Sequence, residues 1–535
     1  MCKVFNVSAD CKPNLHYMVN IEERLQEIKL LIDRGEYFAV NRARQYGKTT
    51  ILRALNRFLQ NDYLVFSLDF QNQMSDAKFK NENVFSVAFA RAILKSLQDS
   101  NTIYSDSMRK AVEELKIAAG ENNSRLELVE LFEYLSDICA ASEKPVILMI
   151  DEVDSATNNQ VFLDFLAQLR GYYIDRDVTP TFRSVILAGV YDIKNLKRKI
   201  RSEDDHKTNS PWNIAADFNV DMSFSVKDIS GMLAEYEHDY KTGMDIAAIS
   251  ALIYDYTSGY PFLVSRICKI IDEKIAGSEE YPNKQMAWTR TGFLEAINLL
   301  LSEKNTLFES LIYKLHDYPE LCSVLYSLLF TGQRIVYNPY DYAIDIAVMF
   351  GFVKESNRSV IVANRIFETL LYNMFLTTSE IQSSEIYKAA LQDRNQFIQC
   401  GQLNMDLVIE KFVKHFSDLY GDRPEAFMEE DGRRYFLLYL RPVINGTGNY
   451  YIESQTRDMK RTDVIVDYRG EQFIIEMKIW HGKEYNQKGV EQLAGYMDEY
   501  HLKKGYLLSF NFNKNKKTGV RKITYGDKII IEAVV

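Results

Sequence analysis

The strongest constraint on how this chain can fold is the string NRARQYGKTT at 41–50. It lies between an apolar run, Tyr37 to Val40, and an amphipathic stretch, Thr49 to Leu59. A strand, a tight loop and a helix in that order turn backbone N–H groups and a helix N-terminus toward one point, which suits a phosphate. Gly47, Lys48 and Thr49 fill the Gly-Lys-Ser/Thr half of the Walker A pattern, while Arg42 stands where its first glycine belongs. In such a loop Lys48 reaches the β and γ oxygens of a triphosphate, and the Thr49 hydroxyl holds magnesium. About a hundred residues later, PVILMIDEVDSA reads as a fully buried strand ending in Asp151 and Glu152. Carboxylates on the C-terminal tip of a parallel strand sit where ligands bind. Asp151 is expected to orient the magnesium shell and Glu152 to polarise the attacking water, with Asp154 as a cap or supporting residue.

Further strand candidates at Leu64 to Phe70 and Ser184 to Ala188 alternate with helical patterns such as Asn83 to Leu97. That alternation predicts a P-loop or doubly wound parallel α/β sheet over residues 1–225. From Val226 to Ser302 helical periodicity takes over, broken by the turn SGYPF at 258–262, which reads as a helical lid. Residues 303–376 read helix, helix, two β-rich pieces around a polar turn, and a last helix, the order of a winged helix. The polar stretch TTSEIQSSE suits a connector over 377–395, followed by a final domain over 396–535. The length of 535 residues exceeds what one core supports, so several folding units are expected.

That final domain contains RTDVIVDYRGEQFIIEMKIW. Two strands of a hairpin would carry Asp463 on the first and Glu476 and Lys478 on the second, the last two on one face by alternation. One carboxylate from each strand can ligate a divalent ion, and a neighbouring lysine can orient or activate water. A surface strand with a harmless Glu and Lys is the plainer alternative for this spacing alone. The apolar setting of FIIEMKIW, the preceding Asp463 and the following helix GVEQLAGYMDEY favour a site, since charge buried on a strand face costs several kcal/mol unless paired or metal-bound.

Together NRARQYGKTT, the IDEVD strand, NSPWNIAADFNVDMSFS and SGYPF resemble the AAA-ATPase-like family, related to archaeal-type and STAND P-loop ATPases, over roughly residues 14 to 230 with the lid beyond. The resemblance implies that Arg42 is in keeping with the loop, and that Pro261 belongs to a lid motif that senses nucleotide. It implies ATP as ligand, with Arg42, Arg44, Gly47, Lys48, Thr49, Thr50 and Asp151 as binding residues, Thr49 and Asp151 also holding Mg²⁺, and Glu152 as catalyst. Tyr191 or Asp192 is a candidate γ-phosphate sensor, and the cluster ending at Arg201 a candidate arginine finger. A nucleotide-dependent homo-oligomer is expected by the same resemblance.

Residues 400 to 535 resemble the PD-(D/E)XK nuclease superfamily. Asp463 matches the motif aspartate, Glu476 and Lys478 the ExK element, and Gln492 with Tyr496 the QxxxY element. Thr462 replaces the usual proline. The resemblance implies an α/β nuclease-like domain acting on DNA with Mg²⁺ or Mn²⁺, Asp463, Glu476, Lys478 and Gln492 being catalytic. An earlier acid, Glu430, Glu410 or Glu453, would complete the metal site.

The net charge of −10 argues against a surface coated for bulk nucleic-acid packing, so contact with DNA would be local. From His481 onward ten Lys and Arg oppose six Asp and Glu, including Lys514, Lys516, Lys517, Arg521 and Lys522. Six scattered cysteines without a CxxC pair exclude a zinc ribbon or disulfide framework. No apolar run reaches the roughly 20 residues that span a bilayer, and the first residues do not read as a secretion signal. A cytoplasmic, bacterial protein without a membrane partner is expected. The alternative function is a nucleotide-dependent regulatory switch whose nuclease-like domain only binds nucleic acid or protein. An ester hydrolase finds no GxSxG.

Overall fold

The computed structural model describes residues 3–99, 105–120, 126–190, 212–331, 335–377, 385–420, 429–444, 448–451, 464–469, 471–480, 482–513 and 516–535. The chain forms two compact units, residues 7–223 and residues 224–535, the second including the N-terminal segment that ends at Asn6.

In the first unit the elements run α1 (Glu22–Asp33), β1 (Phe38–Asn41), α2 (Lys48–Leu59), β2 (Leu64–Asp69), α3 (Glu82–Asp99), α4 (Asp106–Ala118), α5 (Leu128–Ala141), β3 (Val146–Asp151), α6 (Gln160–Ile174) and β4 (Ser184–Gly189). The strands form a parallel sheet in the order β1-β4-β3-β2. Each of the strand candidates is a strand, with bounds moved by a residue. Every residue of β3 and β4 is buried, because helices cover both faces. Alternation divides the core: Phe38, Val40, Ile147, Met149 and Ile186 pack with α1 and α2. Tyr37, Phe66, Leu148, Ile150 and Leu187 pack with α3, α5 and α6 on the other face. Beyond β1 the segment after Trp212 adds a bridge, Ala216 N donating to Tyr37 O at 2.8 Å, at a position no strand candidate covers.

The second unit starts with α7 (Val226–Tyr240), α8 (Ile246–Thr257), α9 (Pro261–Ile270) and α10 (Arg290–Ser302). The turn SGYPF joins α8 to α9. Ser258 and Gly259 take positive φ, and Pro261 occupies the first turn of α9, where its missing N–H costs nothing. Gly259 has a second reason to be glycine: a Cβ there would lie 2.1 Å from the Phe224 carbonyl oxygen. Then come α11 (Thr306–Asp317), α12 (Pro319–Tyr326), α13 (Tyr342–Met349), the antiparallel pair β5 (Val353–Ser356) and β6 (Ser359–Val362), and α14 (Arg365–Leu376). This is the expected order with one helix more, since Pro319 cannot extend α11 and opens α12 instead.

The last part holds α15 (Glu385–Phe397), α16 (Met405–Tyr420), α17 (Glu429–Ile444), β7 (Gly448–Tyr451), β8 (Val464–Tyr468), β9 (Glu471–Ile479), α18 (Lys483–Glu499), β10 (Lys504–Phe510), β11 (Gly519–Tyr525) and β12 (Lys528–Val534). Residues 385–395 are thus helical rather than the connector expected, because Ile386, Ala390 and Phe397 form a buried stripe at helical spacing. The sheet order is β7-β8-β9-β10-β12-β11, with β9, β10 and β12 parallel and the flanking pairs antiparallel. Helices α16 and α17 cover one face: Phe412 and Phe416 touch the Phe510 ring, and Gly432 leaves that ring the space a Cβ would take. Helix α18 covers the other face, its Gly489 close above Leu507 and Lys478. Among the described residues no helix is long and apolar enough to cross a membrane.

Candidate functional site

The loop between β1 and α2 ends at Gly47, whose φ of 85° is left-handed and lets the chain turn abruptly into the helix. Lys48 is the first helical residue and is 6% exposed. Its ammonium donates to the Arg42 carbonyl at 2.9 Å and the Ala43 carbonyl at 3.1 Å. Burial pushes its pKa down, opposed by the charges of Glu152, Asp154 and Asp151. The loop thus holds a desolvated cation at a helix N-terminus, which attracts a phosphate.

Because β4 lies between β1 and β3, the C-terminal tips of the strands meet across it. There the Thr49 hydroxyl donates to Asp151 Oδ2 at 2.7 Å, joining the two motifs. Asp151 Oδ1 accepts from the Glu152 backbone N–H at 3.0 Å. Burial holds the Asp151 carboxyl above its usual value, with the Thr49 bond pulling the other way. Glu152 sits in a left-handed conformation, φ 55°, and its carboxyl is also raised by burial, with Lys48 drawing it down most strongly and Arg44 least. Non-glycine residues held there mark sites where geometry outweighs strain. Asp154 accepts from Val190 N–H at 2.7 Å and 3.0 Å, tying the tip of β3 to that of β4. A Cβ at Gly189 would lie 2.6 Å from Asp154 Oδ1, so this glycine is part of the site, which nothing in its flanking sequence announced.

Other expected residues are placed differently. The Arg42 guanidinium donates to Val220 O at 2.9 Å and stacks on the Phe218 ring at 5.2 Å. Its share in the loop is therefore its carbonyl, which receives Lys48. Arg44 is exposed. The Thr50 hydroxyl accepts from Cys11 N–H at 3.2 Å, and Asp10 pairs with Arg53, so residues 10 and 11 lie along α2. Tyr191, Asp192 and the cluster ending at Arg201 lie outside the described residues.

Residues 14–376 match the family described as AAA-like domain. The chain belongs to the AAA-like domain family. This AAA-like chain is similar to the Walker-type ATPase PABY2304 of Pyrococcus abyssi at 15% identity, over 69% of this chain and 99% of that one, with a TM-score of 0.45. It is similar to the ORC2 protein of Aeropyrum pernix in its ADP form at 11% identity, over 70% and 97%, with a TM-score of 0.36. For Cdc6p of Pyrobaculum aerophilum the values are 12%, 69% and 97%, and 0.31. No curated protein matches the chain.

In the C-terminal sheet, Lys478 Nζ lies 3.0 Å from Glu476 Oε1, and the Glu476 side chain is fully buried. Val464, the residue after Asp463, pairs with Ile475, the residue before Glu476. Asp463 itself and Glu453 lie outside the described residues, as does the side chain of Glu430. Glu410 is exposed on α16, which packs on the face away from Glu476. Gln492 Nε2 donates to the Tyr496 hydroxyl at 3.1 Å within α18, joining the two QxxxY residues. Among the described residues no group of three His, Cys, Asp or Glu could hold a metal ion. Of the basic run, Arg521 is paired to the buried Glu532, Lys517 and Lys522 are exposed, and Lys514 lies outside the described residues.

Proposed function

We propose that the first unit binds ATP with Mg²⁺ and hydrolyses it, and that the C-terminal sheet belongs to a metal-dependent phosphodiesterase acting on DNA. The 2.7 Å link between Thr49 and Asp151 beside the buried Lys48 carries the first half, because hard oxygen donors and a cation converge from distant parts of the chain. Thr49 and Asp151 would hold Mg²⁺, which supplies charge neutralisation at the β and γ oxygens. Lys48 would exchange its two carbonyl partners for phosphate oxygens, and Glu152 would orient the attacking water and accept its proton. Arg44, Gly47 and Thr50 would line the nucleotide. A nucleotide-dependent homo-oligomer is part of the same proposal.

The buried Glu476–Lys478 pair, under a helix carrying Gln492, supports the second half. Glu476 and Asp463 would be the ligands for Mg²⁺ or Mn²⁺, completed by Glu430 or another acid, and Lys478 would orient the water. Lys48→Ala should abolish ATP turnover, while Lys478→Ala should abolish only cleavage of DNA. The 535-residue chain is incubated with linear, circular and single-stranded DNA and with RNA, with and without ATP. Failure to cut any of them with either metal would refute the second half. The full burial of Glu476 favours a second reading, a switch in which this sheet binds without cutting.

A further inference from the structure

Polar side chains from three helices of the second unit are set against its C-terminal sheet. The Tyr256 hydroxyl, near the end of α8, donates to Asp467 Oδ2 at 3.1 Å. Arg290, which opens α10, donates to Gln472 Oε1. Arg365, which opens α14, donates to the Tyr500 hydroxyl at 3.0 Å, pairs with Asp255 at 2.8 Å, and lays its guanidinium over the Tyr256 ring at 5.5 Å. Tyr256, Arg365, Asp467 and Gln472 are all more than nine-tenths buried.

What these contacts grip matters. Asp467 and Gln472 are partners in the β8–β9 register and therefore share a face. Alternation carries that face along β9 through Ile474 to Glu476, about 13 Å away, and Lys478, about 20 Å away, at roughly 3.3 Å per residue. Tyr500 caps the C-terminal end of α18, the helix that bears Gln492 and Tyr496. The contacts thus hold both elements that carry the candidate cleavage site. An apolar interface would hold them too, but apolar contact is non-directional, whereas a buried carboxylate with its donor fixes rotation and register because the unpaired alternative is costly.

We propose that Tyr256, Arg290 and Arg365 are positioning residues: they clamp the β8–β9 hairpin and α18 in the geometry that brings Glu476 and Lys478 to a metal ion. This rests on the phosphodiesterase reading of that sheet. The clasp also makes the helices that follow the ATPase unit a mechanical support of the second site rather than a separate appendage.

The test uses the full chain with Tyr256→Phe, which keeps the ring and removes one hydroxyl, and Arg290→Gln, with Arg290→Lys as the conservative control. Hydrogen exchange at amides 464–476 is expected to quicken roughly three- to tenfold in the first two variants, as for loss of one net hydrogen bond. Mn²⁺ affinity, read by electron paramagnetic resonance, is expected to fall by a similar factor, with Arg290→Lys recovering most of both. Unchanged exchange in Tyr256→Phe and Arg290→Gln overturns the clasp. Quickened exchange with Mn²⁺ affinity unchanged overturns the positioning role. If Glu476→Gln leaves Mn²⁺ binding unaltered while exchange quickens in the clasp variants, the metal reading fails and the mechanical link stands.

Discussion

Replacing Thr49 by valine tests whether the two motifs of the proposed ATP site are energetically joined before nucleotide arrives. The substitution keeps the side chain's shape and helix propensity and removes the hydroxyl that donates to Asp151 Oδ2 at 2.7 Å. Asp151 is 8% exposed, so water replaces the donor poorly, while its other oxygen keeps the Glu152 N–H. A hydrogen bond to a charged group is worth about 1.5–3 kcal/mol net, a factor of roughly 10 to 150 in the folding equilibrium. Asp151→Asn should behave differently. Its carboxyl is raised above the usual value by burial, so its contribution to stability is present below the unfolded pKa and lost as pH rises through the folded one. At neutral pH the charge opposes folding, and Asn should cost little or stabilise. Thr49→Val added to Asp151→Asn should then cost much less than Thr49→Val alone. Trp212, fully buried beside Tyr37, reports on this unit once Trp288 and Trp480 are replaced by phenylalanine, so urea unfolding followed by its fluorescence closes the cycle. Costs that add within about 0.5 kcal/mol would refute the coupling.

Glu152→Gln should leave ATP binding nearly intact and cut hydrolysis by about 10² to 10⁴, as for loss of a general base. Because burial raises the Glu152 and Asp151 carboxyls, the acid limb of kcat/KM should lie above the ordinary values of 4.5 and 3.8. A limb at those values would count against both assignments. Gly259→Ala must place a Cβ 2.1 Å from the Phe224 carbonyl oxygen at φ +73°, so the SGYPF turn should open and Trp288 fluorescence should report a loss of more than about 2 kcal/mol; an unchanged transition would mean the turn yields freely.

The loop at 41–50 and the strand ending at Asp151 were legible because their function demands residues that local structure also demands: glycine for a left-handed turn, lysine and threonine at a helix start, acids at a strand tip. The hairpin of β8 and β9 was legible too, from two β-rich runs around a short turn, while its register, Val464 opposite Ile475, comes from the folded chain. What sequence could not give is which face a long side chain chooses. Arg42 lies in the loop by sequence, yet its guanidinium is taken up by Phe218 and Val220, more than 170 residues away in the chain, because a planar cation finds its carbonyls and ring there. Gly189 and Gly259 are ordinary small residues until Asp154 and Phe224 approach them. The clasp from Tyr256, Arg290 and Arg365 onto Asp467, Gln472 and Tyr500 joins segments over a hundred residues apart. Periodicity and motif spacing act over one or two turns of chain, and so determined the elements. Partners across a core are chosen by burial and hydrogen-bond satisfaction among distant segments, and those only the folded chain decides.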